Sequence, residues 1–230
     1  MIRTRNDDGV CVVTIDRPER RNALRPTDLD AIRTAVTETE QPVTYLHGSG
    51  DAFCAGADLD VIATLDDPAG FARRGQDTAA ALEAADTVVV CGIDGAARGG
   101  GVELALGADL RIATPNATFA EPGVTFGLFG AWGGTVRLPR VMGEGEALDF
   151  ALSGRVLDAD TALRTGLVSR VVADPKRVAD EIAEGKPDAL QTVKARVRDR
   201  RDAASQEETE AAAFASLVAA HADSIAADRE

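Results

Sequence analysis

Three cysteines, two histidines and three lysines are all that this 230-residue chain contains of those types. Cys11, Cys54 and Cys91 lie far apart in apolar or small-residue settings. That spacing excludes a disulfide framework and predicts reduced thiols, as in a cytoplasm. His47 and His221 are the only imidazoles, and no Cys-x-x-Cys occurs, so no metal site is expected. No apolar run approaches the ~18 residues of a membrane span. The opening residues, Met1 to Asp8, lack the apolar segment of a secretory signal, and the expected location is cytoplasmic. Lysine occurs only as Lys176, Lys186 and Lys194.

Acidic residues are abundant. Asp and Glu number 38 against 25 Lys and Arg, for a net charge of −13. A field of that sign disfavours nucleic acid, so none is expected as a partner. The low lysine and high Asp, Glu and Ala content fits a salt-adapted or high-GC source.

The length suits one domain with an appendage. Strands are expected at 10–15, 43–47, 87–93, 110–113, 117–119 and 167–172. Leu29, Ile32 and Val36 recur at helical spacing, which predicts a helix over 27–39 with Thr27 as N-cap. Further helices are expected at 68–86, 134–142, 144–152 and 159–165. Beyond Asp174 strand character disappears, and 175–184, 187–201 and 205–227 read as helices with charged faces. The expected organisation is an α/β core over 1–174 and a helical region over 175–230.

Two junctions carry chemistry. Gly99, Gly100 and Gly101 separate a strand-like run from a helix-like run, and Glu103 follows in the first helical turn. Glycines admit close backbone approach to a ligand, and a helix N-terminus presents free N–H groups and partial positive charge. Tight helix–strand packing is the alternative reading of three glycines. The second junction, Phe53-Cys54-Ala55-Gly56-Ala57-Asp58-Leu59, also runs from a strand through small residues into a short helical stretch. Each junction can give one N–H to the same oxygen, and such donors are worth roughly 2.7–4 kcal/mol each in acyl chemistry.

These segments occur in order with Asp16-Arg17-Pro18-Glu19-Arg20-Arg21-Asn22-Ala23-Leu24, Phe119-Ala120-Glu121-Pro122, Gly133-Gly134-Thr135-Val136-Arg137-Leu138-Pro139, and Leu152-Ser153-Gly154-Arg155 through Gly166-Leu167-Val168. In that order and spacing the chain resembles the crotonase (enoyl-CoA hydratase/isomerase) superfamily. The resemblance implies a spiral of ββα units followed by helices that drive assembly as a homotrimer or dimer of trimers. It implies an acyl-CoA thioester substrate, with coenzyme A as part of the substrate and no separate cofactor. The thioester oxygen would sit between the N–H groups of Ala57 and Gly100, and Glu103 would be the acid/base.

The chain departs from the family in four places. Hydratases of this family use a second glutamate after Pro; here Glu121-Pro122-Gly123 places glycine there and leaves Glu121 as the substitute, with a wall or salt-bridge role as its alternative. Pro-Gly-Ala ahead of Gly-Gly-Thr is replaced by Gly130-Ala131-Trp132, and Trp132 is the single tryptophan. Asp60 stands where relatives carry a lysine. The chain also stops at Asp228-Arg229-Glu230, short for the family, which implies a more open pocket or one covered by a neighbouring subunit. Arg20, Arg21, Ala55, Asp58, Leu59, Gly99 and Trp132 are the expected substrate or CoA contacts. Asp109 is expected to brace the core through Arg111 or Arg137. The leading expectation is a 2-enoyl-CoA hydratase. A single-acid isomerase, thioester hydrolase or decarboxylase and a non-catalytic acyl-CoA-binding protein are the alternatives.

Overall fold

The computed structural model describes residues 1–227. Val10–Ile15 (β2), Val43–Gly48 (β3) and Val88–Ile93 (β4) are almost wholly buried runs; β2 and β4 are mostly β-branched, and β3 adds Tyr45 and Leu46. Such runs suit strands covered on both faces, and β2, β3 and β4 pair in parallel. Ile2–Asp7 (β1) joins β2 antiparallel at one edge. Leu110–Ala113 (β6) and Arg170–Val171 (β9) complete the sheet, whose order is β1-β2-β3-β4-β6-β9. A second sheet, of order β5-β7-β8, combines Ala96–Arg98 (β5), Thr118–Ala120 (β7) and Leu157–Asp158 (β8). Isolated bridges Leu24↔Ala57 and Cys54↔Ala97 extend this layer. The chain thus runs repeatedly from the large sheet to the small one and then into a helix, as in β4–β5 followed by Gly100–Gly107.

The helices in chain order are Pro26–Glu38 (α1), Leu59–Ile62 (α2), Pro68–Ala84 (α3), Gly100–Gly107 (α4), Gly134–Met142 (α5), Glu144–Ser153 (α6), Ala159–Arg164 (α7), Pro175–Ala183 (α8), Pro187–Val197 (α9) and Ala203–Ala227 (α10). α1 starts one residue earlier than its periodicity implied. Arg25, not Thr27, is the N-cap, because Pro26 takes the first helical position and the Asp28 carboxylate accepts the Arg25 N–H at 3.1 Å. The strand expected at 167–172 contracts to two residues, and the helix expected at 187–201 ends at Val197. Asp109 does brace the core, accepting the Val89 N–H at 2.8 Å. Arg137 pairs instead with Glu83, at 2.6 Å.

Two compact units emerge, Met1–Ala183 and a second beginning at Glu184. The first holds both sheets and also α8, which buries Val178 and Ala179, so the compact core extends one helix past residue 174. In the second, α9 and α10 pack on each other. No helix among the described residues is long and apolar enough to cross a membrane. Residues 228–230, where the chain was expected to stop short, lie outside the described residues.

Candidate active site

A cavity of about 970 Å³ opens between the two glycine-rich junctions. Its wall includes Ala55, Ala57 and Leu59 from one junction and Gly99, Gly100 and Glu103 from the other. Glu121 and Trp132 also line it.

The junctions touch. A Cβ on Gly56 would lie 2.9 Å from the Gly100 nitrogen and 2.7 Å from the Arg98 carbonyl oxygen. Gly56 has φ +85°, which suits glycine. The parallel bridge at Ala57 uses its neighbours: Leu24 N–H donates to the Gly56 carbonyl, and Asp58 N–H to Leu24. Alternation along an extended segment turns the Ala57 N–H the opposite way. Gly100 is the first residue of α4 and has no intrahelical acceptor. Among the described residues neither amide donates a hydrogen bond, and both residues line the cavity.

Glu103 is 1% exposed. Its Oε1 accepts the main-chain N–H groups of Trp132 at 2.9 Å and Gly134 at 2.6 Å. The second is the first residue of α5, so the carboxylate sits at a helix N-terminus. The loop is built of glycine because it wraps this group: a Cβ on Gly130 would meet Glu103 Cδ at 2.7 Å, and one on Gly134 would meet Oε1 at 2.6 Å. Both bonds fall on Oε1, which leaves Oε2 for a ligand. Burial raises the Glu103 pKa, while the Gly134 and Trp132 amides and the Arg137 charge oppose that shift.

Glu121 is 5% exposed, and neither carboxylate oxygen has a partner among the described residues. Burial, with the Glu103 charge second, pushes its pKa up to about 8. An unpaired buried carboxylate is costly when charged. Glu121 is therefore mainly protonated at neutral pH, in a wall shared with a hydrogen-bonded partner acid. No group of three or more His, Cys, Asp or Glu side chains among the described residues is arranged to hold a metal.

The other expected contacts divide. Arg21 lines the cavity, with its carbonyl accepting the Ala55 N–H at 2.9 Å. Arg20 and Asp58 are not part of the wall. Asp58 is buried, caps α2, and receives Arg17 Nη1 at 2.5 Å. Arg20 bonds to Asp60 and Asp58, so local carboxylates hold the guanidinium that was expected to contact substrate or CoA. The sequence reading missed Arg98, a wall residue whose guanidinium donates to Thr118 and Ala97. Its only signal was an arginine directly ahead of three glycines. Also missed was an apolar rim of Phe126, Leu128 and Phe129, which no periodicity marks.

The sequence profile of the enoyl-CoA hydratase/isomerase family matches residues 5–225. The chain belongs to that family. A crotonyl-CoA hydratase from Syntrophomonas wolfei subsp. wolfei is 38% identical over 183 residues, covering 76% of this chain and 70% of the relative. A short-chain-enoyl-CoA hydratase from Clostridium acetobutylicum is 35% identical over 198 residues, covering 80% of this chain and 76% of the relative. The crystal structure of an enoyl-CoA hydratase from Thermoplasma volcanium GSS1 superposes with a TM-score of 0.87 at 29% identity, covering 94% of this chain and 91% of that one. This family member is thus an enzyme of the hydratase/isomerase type with the family's α/β fold.

Proposed function

We propose that the chain hydrates 2-enoyl-CoA thioesters, with Glu103 and Glu121 as the acid/base pair. The observation that carries this reading is the state of Glu121, which is buried in the cavity wall and has no hydrogen-bond partner among the described residues. A wall or salt-bridge residue would have a partner; a stored acid needs none. Glu121 thus stands in for the acid that the family places at position 123.

In this reading the thioester oxygen lies between the N–H groups of Ala57 and Gly100. Glu103 Oε2 takes a proton from water as its oxygen bonds to Cβ. The C=C electrons shift toward the thioester, and the oxygen takes enolate charge, which the two amides stabilise. Glu121 then delivers its proton to Cα. Water is added across the bond, and the proton held by Glu103 returns to Glu121. Coenzyme A enters as part of the substrate, with Arg21 and Arg98 at the polar part of the wall.

Gly123 favours a second reading. With the usual second acid position empty, Glu103 alone could carry a proton between carbons of a 3-enoyl thioester, as an isomerase does. Incubation with crotonyl-CoA, following loss of the conjugated thioester absorbance, tests the first reading. Turnover of 3-enoyl-CoA without hydration would establish the second. Tight binding of both thioesters with no turnover would overturn both in favour of a binding protein. Glu103→Ala is expected to lower kcat by at least about 100-fold.

A further inference from the structure

Resting on the acyl-CoA reading of this cavity, we propose that Trp132 sets the size of acyl group accepted beside the thioester. A lone tryptophan inside Gly130-Ala131-Trp132-Gly133-Gly134 needs room that its own loop does not supply. Two glycines of other elements supply it. A Cβ on Gly75 of α3 would lie 2.1 Å from Trp132 Cδ1, and one on Gly100 of α4 would lie 2.4 Å from Cζ3. The five-membered ring therefore rests on α3 and the six-membered ring on the first residue of α4. Phe71, one turn before Gly75, meets the indole edge-on, with centroids 5.6 Å apart and planes at 85°.

The residue is 3% exposed yet forms part of the cavity wall. Its main-chain N–H holds Glu103, and its ring abuts Gly100. Trp132 thus adjoins both the proposed base and a proposed oxyanion donor, and fills a slot between α3 and α4 that would otherwise extend the cavity inward. Among the other apolar wall residues, Leu59, Phe126, Leu128 and Phe129 are exposed and offer a softer boundary, whereas Phe71 is buried and packs on the indole itself. An indole wedged between two backbones and a phenyl ring cannot yield. The steric limit nearest the reacting carbons is this ring, and the enzyme selects acyl groups with small substituents there.

The test compares kcat/KM for crotonyl-CoA and cinnamoyl-CoA, which places an aryl group on Cβ, in the native enzyme and Trp132→Ala. The cinnamoyl-to-crotonyl ratio is expected to rise at least about 10-fold, since even a methylene in an apolar pocket discriminates by about that factor. Added indole should refill the slot and restore the native ratio, as apolar cavities bind aromatic molecules. An unchanged ratio, including an equal loss on both substrates, would overturn the proposal. Should Trp132→Ala fail to fold, Trp132→Leu is read by the same ratio. Should the native enzyme turn over neither thioester, the hydratase reading fails on its own, and the ratio of calorimetric Kd values for the two thioesters decides the role of Trp132 by the same criterion.

Discussion

Glu103 and Glu121 are the same residue type in one cavity, and their surroundings separate them. Two amides steady the charge of Glu103, whereas the Glu121 carboxylate has no hydrogen-bond partner among the described residues. Opposed environments of this kind assign base and acid. Hydration should therefore follow a bell-shaped pH profile, rising as Glu103 ionises and falling as Glu121 loses its proton near pH 8. Because the two charges interact, the limbs report the pair. Glu121→Gln should lower kcat by about 100- to 10,000-fold and remove the alkaline limb from the residual activity, measured on crotonyl-CoA. Stability gives an independent check. The folded pKa of Glu121 lies above its unfolded value, so the stability it contributes is complete below about pH 4.5 and is lost as pH rises to about 8. The Tm of Glu121→Gln should therefore gain on that of the native protein across this window and hold its advantage above it. Motif order made Glu103 legible, and Glu121 was legible as the nearest substitute. Its lack of partners was not, because that state depends on which distant segments close over it.

At the element scale, glycine decides where α3, α4 and the loop before α5 can meet. Gly75 lies inside α3, where alanine would ordinarily gain about 1 kcal/mol of helix propensity. Its Cβ would overlap an indole that has nowhere to move, and overpacking of that kind costs about 1–3 kcal/mol. Gly75→Ala should therefore destabilise the native protein in urea titrations. In a Trp132→Ala background the sign should reverse, leaving the propensity gain. Legibility follows the same division. The buried strands β2 and β4 announce themselves by β-branched runs, and α1 by its apolar period. β1 does not, because Ile-Arg-Thr-Arg-Asn-Asp carries no apolar pattern and is held by main-chain pairing to β2 at a sheet edge. β5 and β8 are too short to show a pattern. The Gly75–Trp132 fit joins residues far apart in sequence, and neither alone signals it. Gly123 is similar: a Cβ there would come within 3.0 Å of the Leu128 carbonyl oxygen and Phe129 Cα. A side chain at 123 would need that loop to give by a few tenths of an ångström, a constraint that no sequence pattern shows.

At the scale of the whole molecule, the unit beginning at Glu184 leaves apolar surface that one chain does not cover. α10 runs for 25 residues without a buried one. Val193, Val197, Phe214 and Leu217 line a groove with α9, and Val197 and Phe214 are 72% and 68% exposed. A helix of that length exposing large apolar side chains on a strongly acidic protein is stable only when its apolar stripe is covered. Other copies of the chain are the expected cover, as a homotrimer or a dimer of trimers. Sedimentation equilibrium should then return three or six times the 24.0 kDa chain mass. Phe214→Asp puts a carboxylate into that apolar surface, where desolvation opposes its charge. The variant should sediment as smaller species while the far-ultraviolet circular dichroism of the sheets and helices of the core persists. A native protein that sediments as a single chain would show instead that these two helices stand uncovered, and the exposed phenylalanine would need another explanation.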